Sequence, residues 1–139
     1  MYKNLYVKIL PLLVVLISTI LNAVELNWEH NYNKALIQAQ KEKKSIYLFI
    51  GADKCKYCKK FKEQTLSNKK LIEDMKKKYV LIYMSRDQHK IPTKFEQYGV
   101  PRHYFLNSYG DIIADTQGFQ DISWWRDTLD EVKFIKEEK

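Results

Sequence analysis

Apolar and polar residues change period several times along this chain, and each change marks an element. Tyr32, Ala35, Leu36 and Ala39 recur at helical spacing, which predicts a first helix from about Glu29 to Lys41. Ser45-Ile-Tyr-Leu-Phe-Ile50 is then an unbroken β-branched and aromatic run between Lys43-Lys44 and Gly51. A run of that length without polar alternation predicts a strand covered on both faces. A basic, helix-compatible stretch follows from about Cys55 to Gln64. Ser67-Asn68 offers an N-cap for another helix through Met75, with Leu71, Ile72 and Met75 facing inward. Tyr79-Val-Leu-Ile-Tyr-Met84 repeats the continuous apolar pattern and predicts a second buried strand.

Arg86 to Ile91 is polar and reads as a loop. Pro92 suits the first turn of a short helix, Thr93 to Tyr98, ended by Gly99, and the Ile91–Pro92 bond is assigned the ordinary trans form. His103–Leu106 and Asp111–Asp115 flank the polar Asn107-Ser-Tyr-Gly110, the pattern of a β-hairpin. Gly118-Phe119 makes a turn. Asp121 or Ser123 caps a last helix through about Lys136, with Trp124, Trp125, Leu129, Val132 and Ile135 as a broad apolar face. Strand, helix, strand within forty residues predicts a parallel βαβ unit with a right-handed crossover, so the class is α/β. There is no internal repeat and no low-complexity segment.

At 139 residues the chain has room for one domain. Its first 23 residues change the picture. Lys3 and Lys8 precede an apolar run, Ile9–Leu21, and Leu21-Asn22-Ala23 can serve as a cleavage site. The run is shorter than the ~20 apolar residues a spanning helix needs. The expectation is a signal peptide, 1–23, and one domain, 24–139, exported to the periplasm with no stable membrane insertion once the signal is removed. Left uncleaved, the same segment would tether the domain. No cysteine lies near the cleavage point, which argues against a lipid anchor. Losing Lys3 and Lys8 lowers the net charge from +7 to +5. That balance could suit nucleic acid, but export argues against it. Lys41-Glu-Lys-Lys44 and Lys76-Lys-Lys78 read as solvated helix ends, where lysine also suits the dipole.

The chemistry concentrates in Cys55-Lys-Tyr-Cys58, which holds both cysteines of the chain. A strand, a short turn and a helix opening with Cys-x-x-Cys is the layout of a thiol–disulfide redox site. Amides at a helix N-terminus stabilise a thiolate, and two intervening residues let the second thiol resolve a mixed disulfide on the first. In an exported protein the plain alternative is a structural disulfide. Loop entropy disfavours it, because a four-residue ring removes only about 2 kcal/mol from the unfolded state, against about 3 for fifteen residues. Structural zinc wants four ligands, and His30, His89 and His103 are not spaced as a pair. No metal is expected, and no cofactor beyond the redox-active Cys55–Cys58 disulfide itself.

With these residues in place the chain resembles the thioredoxin superfamily. Three landmarks carry the resemblance: Ala52-Asp-Lys-Cys-Lys-Tyr-Cys58 after the first core strand, Tyr98-Gly-Val-Pro101 before a hairpin strand, and Gly118 after the hairpin. The Trp-x-x-x-Tyr-x-x-Ala-Leu opening and the Cys-x-Tyr-Cys-Lys motif are similar to exported bacterial members. These include the sulfur-oxidation thioredoxins and the C-terminal domain of the transmembrane thiol–disulfide interchange reductase. The resemblance implies a thioredoxin fold, a central mixed sheet of about four strands flanked by helices. It implies Cys55 as the attacking thiolate, Cys58 as the buried resolving thiol, and a cis Pro101 that sets the Val100 backbone beside the sulfurs to pair with a substrate strand. Cysteine-bearing client proteins and a membrane-bound electron donor are the implied partners, on the reducing or isomerising side.

Two departures from the best-known pattern bear on mechanism. Where cytosolic thioredoxins carry a buried Asp, aligning on the cysteines puts Phe49, so Cys58 must lose its proton by another route, to water or Glu63. Lys54, Lys56 and Lys59 surround the motif and would lower the Cys55 pKa, unless salt screens them. His103 is read as a strand residue without a catalytic role. The rival function is a non-enzymatic binding module that presents Trp124, Trp125 and basic surface, with the cysteines as an inert staple. Such a staple resists glutathione, whereas a reactive pair equilibrates well above roughly −300 mV.

Overall fold

Strand β1 (Ser45–Gly51) runs through the middle of the sheet and is buried along its whole length. The computed structural model describes residues 26–138. The expected signal peptide, residues 1–23, lies outside the described residues. Around β1 the order is α1 (Tyr32–Glu42), β1, α2 (Lys56–Gln64), α3 (Lys69–Lys78), β2 (Tyr79–Ser85), β3 (Arg102–Leu106), β4 (Ile112–Gln117) and α4 (Ile122–Glu137). The four strands form one mixed sheet in the order β2-β1-β3-β4. β2 runs parallel to β1, with Ser45 opposite Tyr79 and Gly51 opposite Ser85. β3 is antiparallel to β1, and β4 to β3. Glu29 adds a parallel bridge to the outer edge of β2. This is the thioredoxin fold, an α/β sheet with helices on both faces.

The apolar run in β1 is continuous because both of its faces are packed. Tyr47 and Phe49 point to one side, into a cluster with Phe61 of α2, Leu71 and Met75 of α3, and Trp125 of α4. Ile46, Leu48 and Ile50 point to the other side, against Ala35 and Ala39 of α1 and Ile91 and Phe95 of the loop before β3. Small alanines on α1 let its backbone approach the sheet closely. Among the described residues, no helix is long and apolar enough to cross a membrane.

Capping side chains set where the helices begin. Asn31, Asn68 and Asp121 accept hydrogen bonds from Lys34, Leu71 and Trp124 amides. Helix α1 therefore starts at Tyr32, three residues after the expected Glu29, which the bridge to β2 holds extended. Replacing Asn68 by alanine should cost about 1 kcal/mol, because the Leu71 amide loses its 2.9 Å partner. The shift in the urea midpoint measures it, and an unchanged midpoint would mean that water serves that amide equally well.

One expected helix is absent. Residues 93–98 form a turn in which the Phe95 amide donates to the Pro92 carbonyl. The Glu96 carboxylate then accepts from the Gln97 and Tyr98 amides, and the Tyr104 hydroxyl accepts from the Glu96 amide. Six residues gain too few helical bonds to offset nucleation, and side chains satisfy these amides instead.

Candidate active site

The candidate site lies at the end of the sheet where β1 finishes. Gly51 leads out of the strand, and Cys55 takes an extended conformation as the N-cap of α2. Its sulfur accepts the Cys58 amide at 3.1 Å, so the sulfur itself does the work that an Asn or Ser oxygen does on other helices. Cys55 and Cys58 are disulfide-bonded. They differ in exposure. Cys55 is partly open, whereas Cys58 is only 2% exposed and packs in the cluster of Phe49 and Phe61.

The loop 92–101 reaches the disulfide at Val100. The Cys55 sulfur lies 3.8 Å from the Val100 carbonyl oxygen. Pro101 follows with a cis Val100–Pro101 bond, the one cis bond among the described residues. Gly99 ahead of it has φ +66°, the left-handed region that favours glycine; a Cβ there would only displace the flexible side-chain amide of Gln117. The structure thus brings Cys55, Cys58, Val100 and Pro101 together. Lys54 and Lys56 are exposed on either side of Cys55, with the Lys56 ammonium 5.4 Å from the Tyr57 ring centre.

A groove of about 580 Å³ runs beside the disulfide, with His30, Asp53, Glu63 and His89 among its polar residues and Leu26, Ala52 and Tyr83 among the apolar ones. Glu63 is exposed and 3.9 Å from the Lys59 ammonium. Phe49, at the position where the family resemblance places a buried Asp, is fully buried and edge-on to Phe61. His30 and His89 stack with ring centres 5.1 Å apart. Among the described residues, no group of three or more His, Cys, Asp or Glu side chains is placed to hold a metal ion.

Asp53 ties the motif loop to the end of β2, a role that sequence reasoning missed. Its carboxylate accepts from the Gln88 amide and the Ser85 hydroxyl, and both bonds hold it below the usual carboxylate range. Its backbone amide donates to Asp87. Gly51 and Ser85 are partners across β1 and β2, but that register is invisible in the sequence.

Beneath the site sits a second unanticipated pair. His103 is fully buried, among Phe49, Phe61 and Trp125. The Gly118 carbonyl, 2.9 Å from Nε2, can only accept, so Nε2 carries the proton. Nδ1 is left to accept from the Tyr47 hydroxyl at 2.8 Å. Burial pushes the His103 pKa down to about 4, and the Gly118 bond opposes this only partly. Burial also raises Tyr47 well above the usual phenol value. Neutral, fully partnered and enclosed, the two side chains form a structural unit.

Trp124 and Trp125 separate sharply. Trp124 is 58% exposed, whereas Trp125 is fully buried and cannot face a partner. The binding-module alternative therefore loses half of its proposed aromatic surface.

Residues 27–108 match the family model described as thioredoxin-like. An uncharacterized protein of Archaeoglobus fulgidus is 30% identical over 93 residues, which covers 67% of this chain and 72% of that protein. Among solved structures, a DsbH oxidoreductase superposes with a TM-score of 0.61 at 18% identity, covering 83% of this chain and 89% of its own. A disulphide isomerase from Xylella fastidiosa Temecula1 gives the same TM-score and identity, covering 78% of this chain and 99% of its own.

Proposed function

This chain belongs to the thioredoxin-like family, and from that premise we propose that it is an exported thiol–disulfide oxidoreductase acting through Cys55 and Cys58. One observation carries the reading: the more open sulfur, Cys55, caps a helix and lies against the Val100 carbonyl, while its partner Cys58 is shielded.

The chemistry follows from those positions. In the reduced protein, Cys55 is the thiol on the helix N-terminus, where amides and the dipole stabilise its anion. The Cys55 thiolate attacks a client disulfide, a Cys55–client bond forms, and one client thiolate leaves. Cys58 gives up its proton to water or to Glu63 in the groove beside it and attacks the Cys55 sulfur. The second client thiolate is released and the Cys55–Cys58 bond is restored. Two electrons have passed to the client, and a dithiol donor must return them for another cycle. Val100 and Pro101 form the rim against which the client segment lies. Lys54 and Lys56 add positive potential beside the nascent thiolate.

Export rests on residues 1–23, which read as a secretory signal, and that reading supports a periplasmic domain. A membrane-bound dithiol donor is then the natural source of electrons. The reducing or isomerising direction is favoured because the 86–101 connection between β2 and β3 carries no inserted helical domain.

Replacing Cys58 by serine in the full chain tests the cycle at its midpoint. Without the resolving thiol, Cys55–client disulfides should accumulate, visible as high-mass bands on non-reducing gels that dithiothreitol collapses. They should be missing when Cys55 is replaced as well. If the single variant shows no adducts, with a model peptide disulfide or in cells, the cysteines are an inert staple and the proposal fails.

A further inference from the structure

The charges around the disulfide are unequally occupied. Three carboxylates stand on the loops at this end, and each is turned to the protein's own backbone or side chains. Asp53 accepts from Ser85 and Gln88, Asp87 accepts from the Asp53 amide, and Glu96 accepts from the Gln97 and Tyr98 amides. Some of the cations here are engaged too, Lys59 with Glu63 and Lys62 over the Tyr83 ring, but not all have a carboxylate partner. Lys54 and Lys56 are exposed beside Cys55, and the pair meets no carboxylate among the ion pairs of the described residues. Arg86 is exposed too, and spends only one nitrogen, on the Gln97 carbonyl at 3.1 Å. That bond and its stacking 5.6 Å over the Tyr98 ring hold its guanidinium in place above the 92–101 loop.

Two of these cations have an exposed aromatic ring beside them, Lys56 at Tyr57 and Arg86 at Tyr98. Tyr57, two residues after Cys55, is 52% exposed, and Tyr98, two residues before Val100, is 75% exposed. Exposed tyrosines beside a held arginine are the composition of a surface that contacts a partner, and the two lysines give that surface its sign. We propose that the segment docking on Cys55 is acidic: an extended stretch of a client or redox partner with carboxylates flanking its cysteine. These meet Lys54 and Lys56 on one side and Arg86 on the other, with the cysteine over Val100. Positive groups grouped round a reactive sulfur raise the encounter rate with such a segment and repel a basic one.

The inference rests on the exchange reaction proposed above, and its test separates the two. The full chain is reduced with dithiothreitol, freed of it, and mixed with disulfide-linked dimers of two short peptides. One carries Glu and the other Lys on both sides of a single cysteine. Each exchange reduces the peptide disulfide to two thiols and oxidises Cys55 and Cys58 to their disulfide. Each rate is divided by the same peptide's rate with dithiothreitol, whose reacting thiolate carries the same single negative charge as that of Cys55, so that differences between the peptides' own thiols and the pull of each peptide on a bare thiolate cancel.

At low ionic strength the Glu peptide should react about tenfold faster, and the ratio should shrink towards one at about 0.5 M salt. Lys56→Glu with Arg86→Glu should abolish or invert the ratio. Any change in the Cys55 thiolate affects both peptides alike and drops out. Lys77→Glu with Lys133→Glu makes the same charge change at the opposite end of the sheet, where Ser45 and Tyr79 lie, and should leave the ratio intact. Equal rates with both peptides, or a ratio untouched by the first double variant, overturn the acidic partner and leave the exchange reaction standing. Reaction with neither peptide overturns the exchange reaction as well.

Discussion

Replacing Trp125 by alanine should lower the unfolding free energy by roughly 3–5 kcal/mol, the largest loss expected from any one side chain here. The indole is fully buried on the inner face of α4. Its ring packs 5.0 Å from Phe61, 5.2 Å from Tyr47, 4.9 Å from His103 and 5.8 Å from Phe105, and its Nε1 donates to the Met75 sulfur. One residue thus joins α2, α3, α4 and the sheet, so its loss leaves a cavity shared by all of them. Against a total stability of about 5–15 kcal/mol, that is a large fraction. Urea unfolding followed by circular dichroism should show the midpoint falling by about 2 M. Trp124→Ala, one position away and mostly exposed, should stay within about 0.5 kcal/mol of the parent. Equal effects from the two tryptophans would contradict this packing. Because Phe61 lies on the helix that begins at Cys55, the Trp125 variant should also loosen the support under the disulfide.

Acid should destabilise the domain by about 3 kcal/mol through His103 alone. A histidine in the unfolded chain takes up a proton near pH 6.5, whereas burial holds His103 in the fold down to about 4. Between those values the unfolded state binds more protons, so stability rises with pH across the window. The full stability is present above about 6.5 and is lost progressively as the pH falls to about 4. His103→Gln is the comparison. Its amide can still donate to the Gly118 carbonyl and accept from Tyr47, but it does not titrate. Urea midpoints at about pH 7, 5.5 and 4.5 should fall more steeply in the parent than in the variant. Carboxylates held below their usual range, such as Asp53 and Glu96, lose stability on acidification in both proteins and cancel in the difference. Parallel profiles would mean that His103 is not enclosed as described.

How far the sequence reached can be judged residue by residue. Ser45–Ile50 and Tyr79–Met84 announced two strands covered on both faces, and the sheet confirms each within one residue. Such runs are strong signals because burial on both sides removes the polar alternation that would blur them. Ser67-Asn68 and Asp121 or Ser123 announced helix starts, since a cap is a local bond between residues three apart, and the structure uses Asn68 and Asp121. The segment 93–98 failed for the opposite reason. Its helical propensity was real but weak, and the Tyr104 hydroxyl, eight residues away, took one of its amides.

The local order of residues along the chain was thus sufficient to set the strands, the capped helices and the family to which the chain belongs. Pairing across strands was decided only in the folded molecule. Register put Phe49 opposite His103 and brought Asp53 to Ser85, while the docking of α4 on the sheet sorted Trp125 inward from Trp124 outward. The reason is physical: helices, caps and apolar periodicity depend on neighbours within a turn or a pleat. Burial, a shifted imidazole and the sulfur-to-Val100 contact depend on segments forty or more residues apart, whose meeting no local pattern encodes.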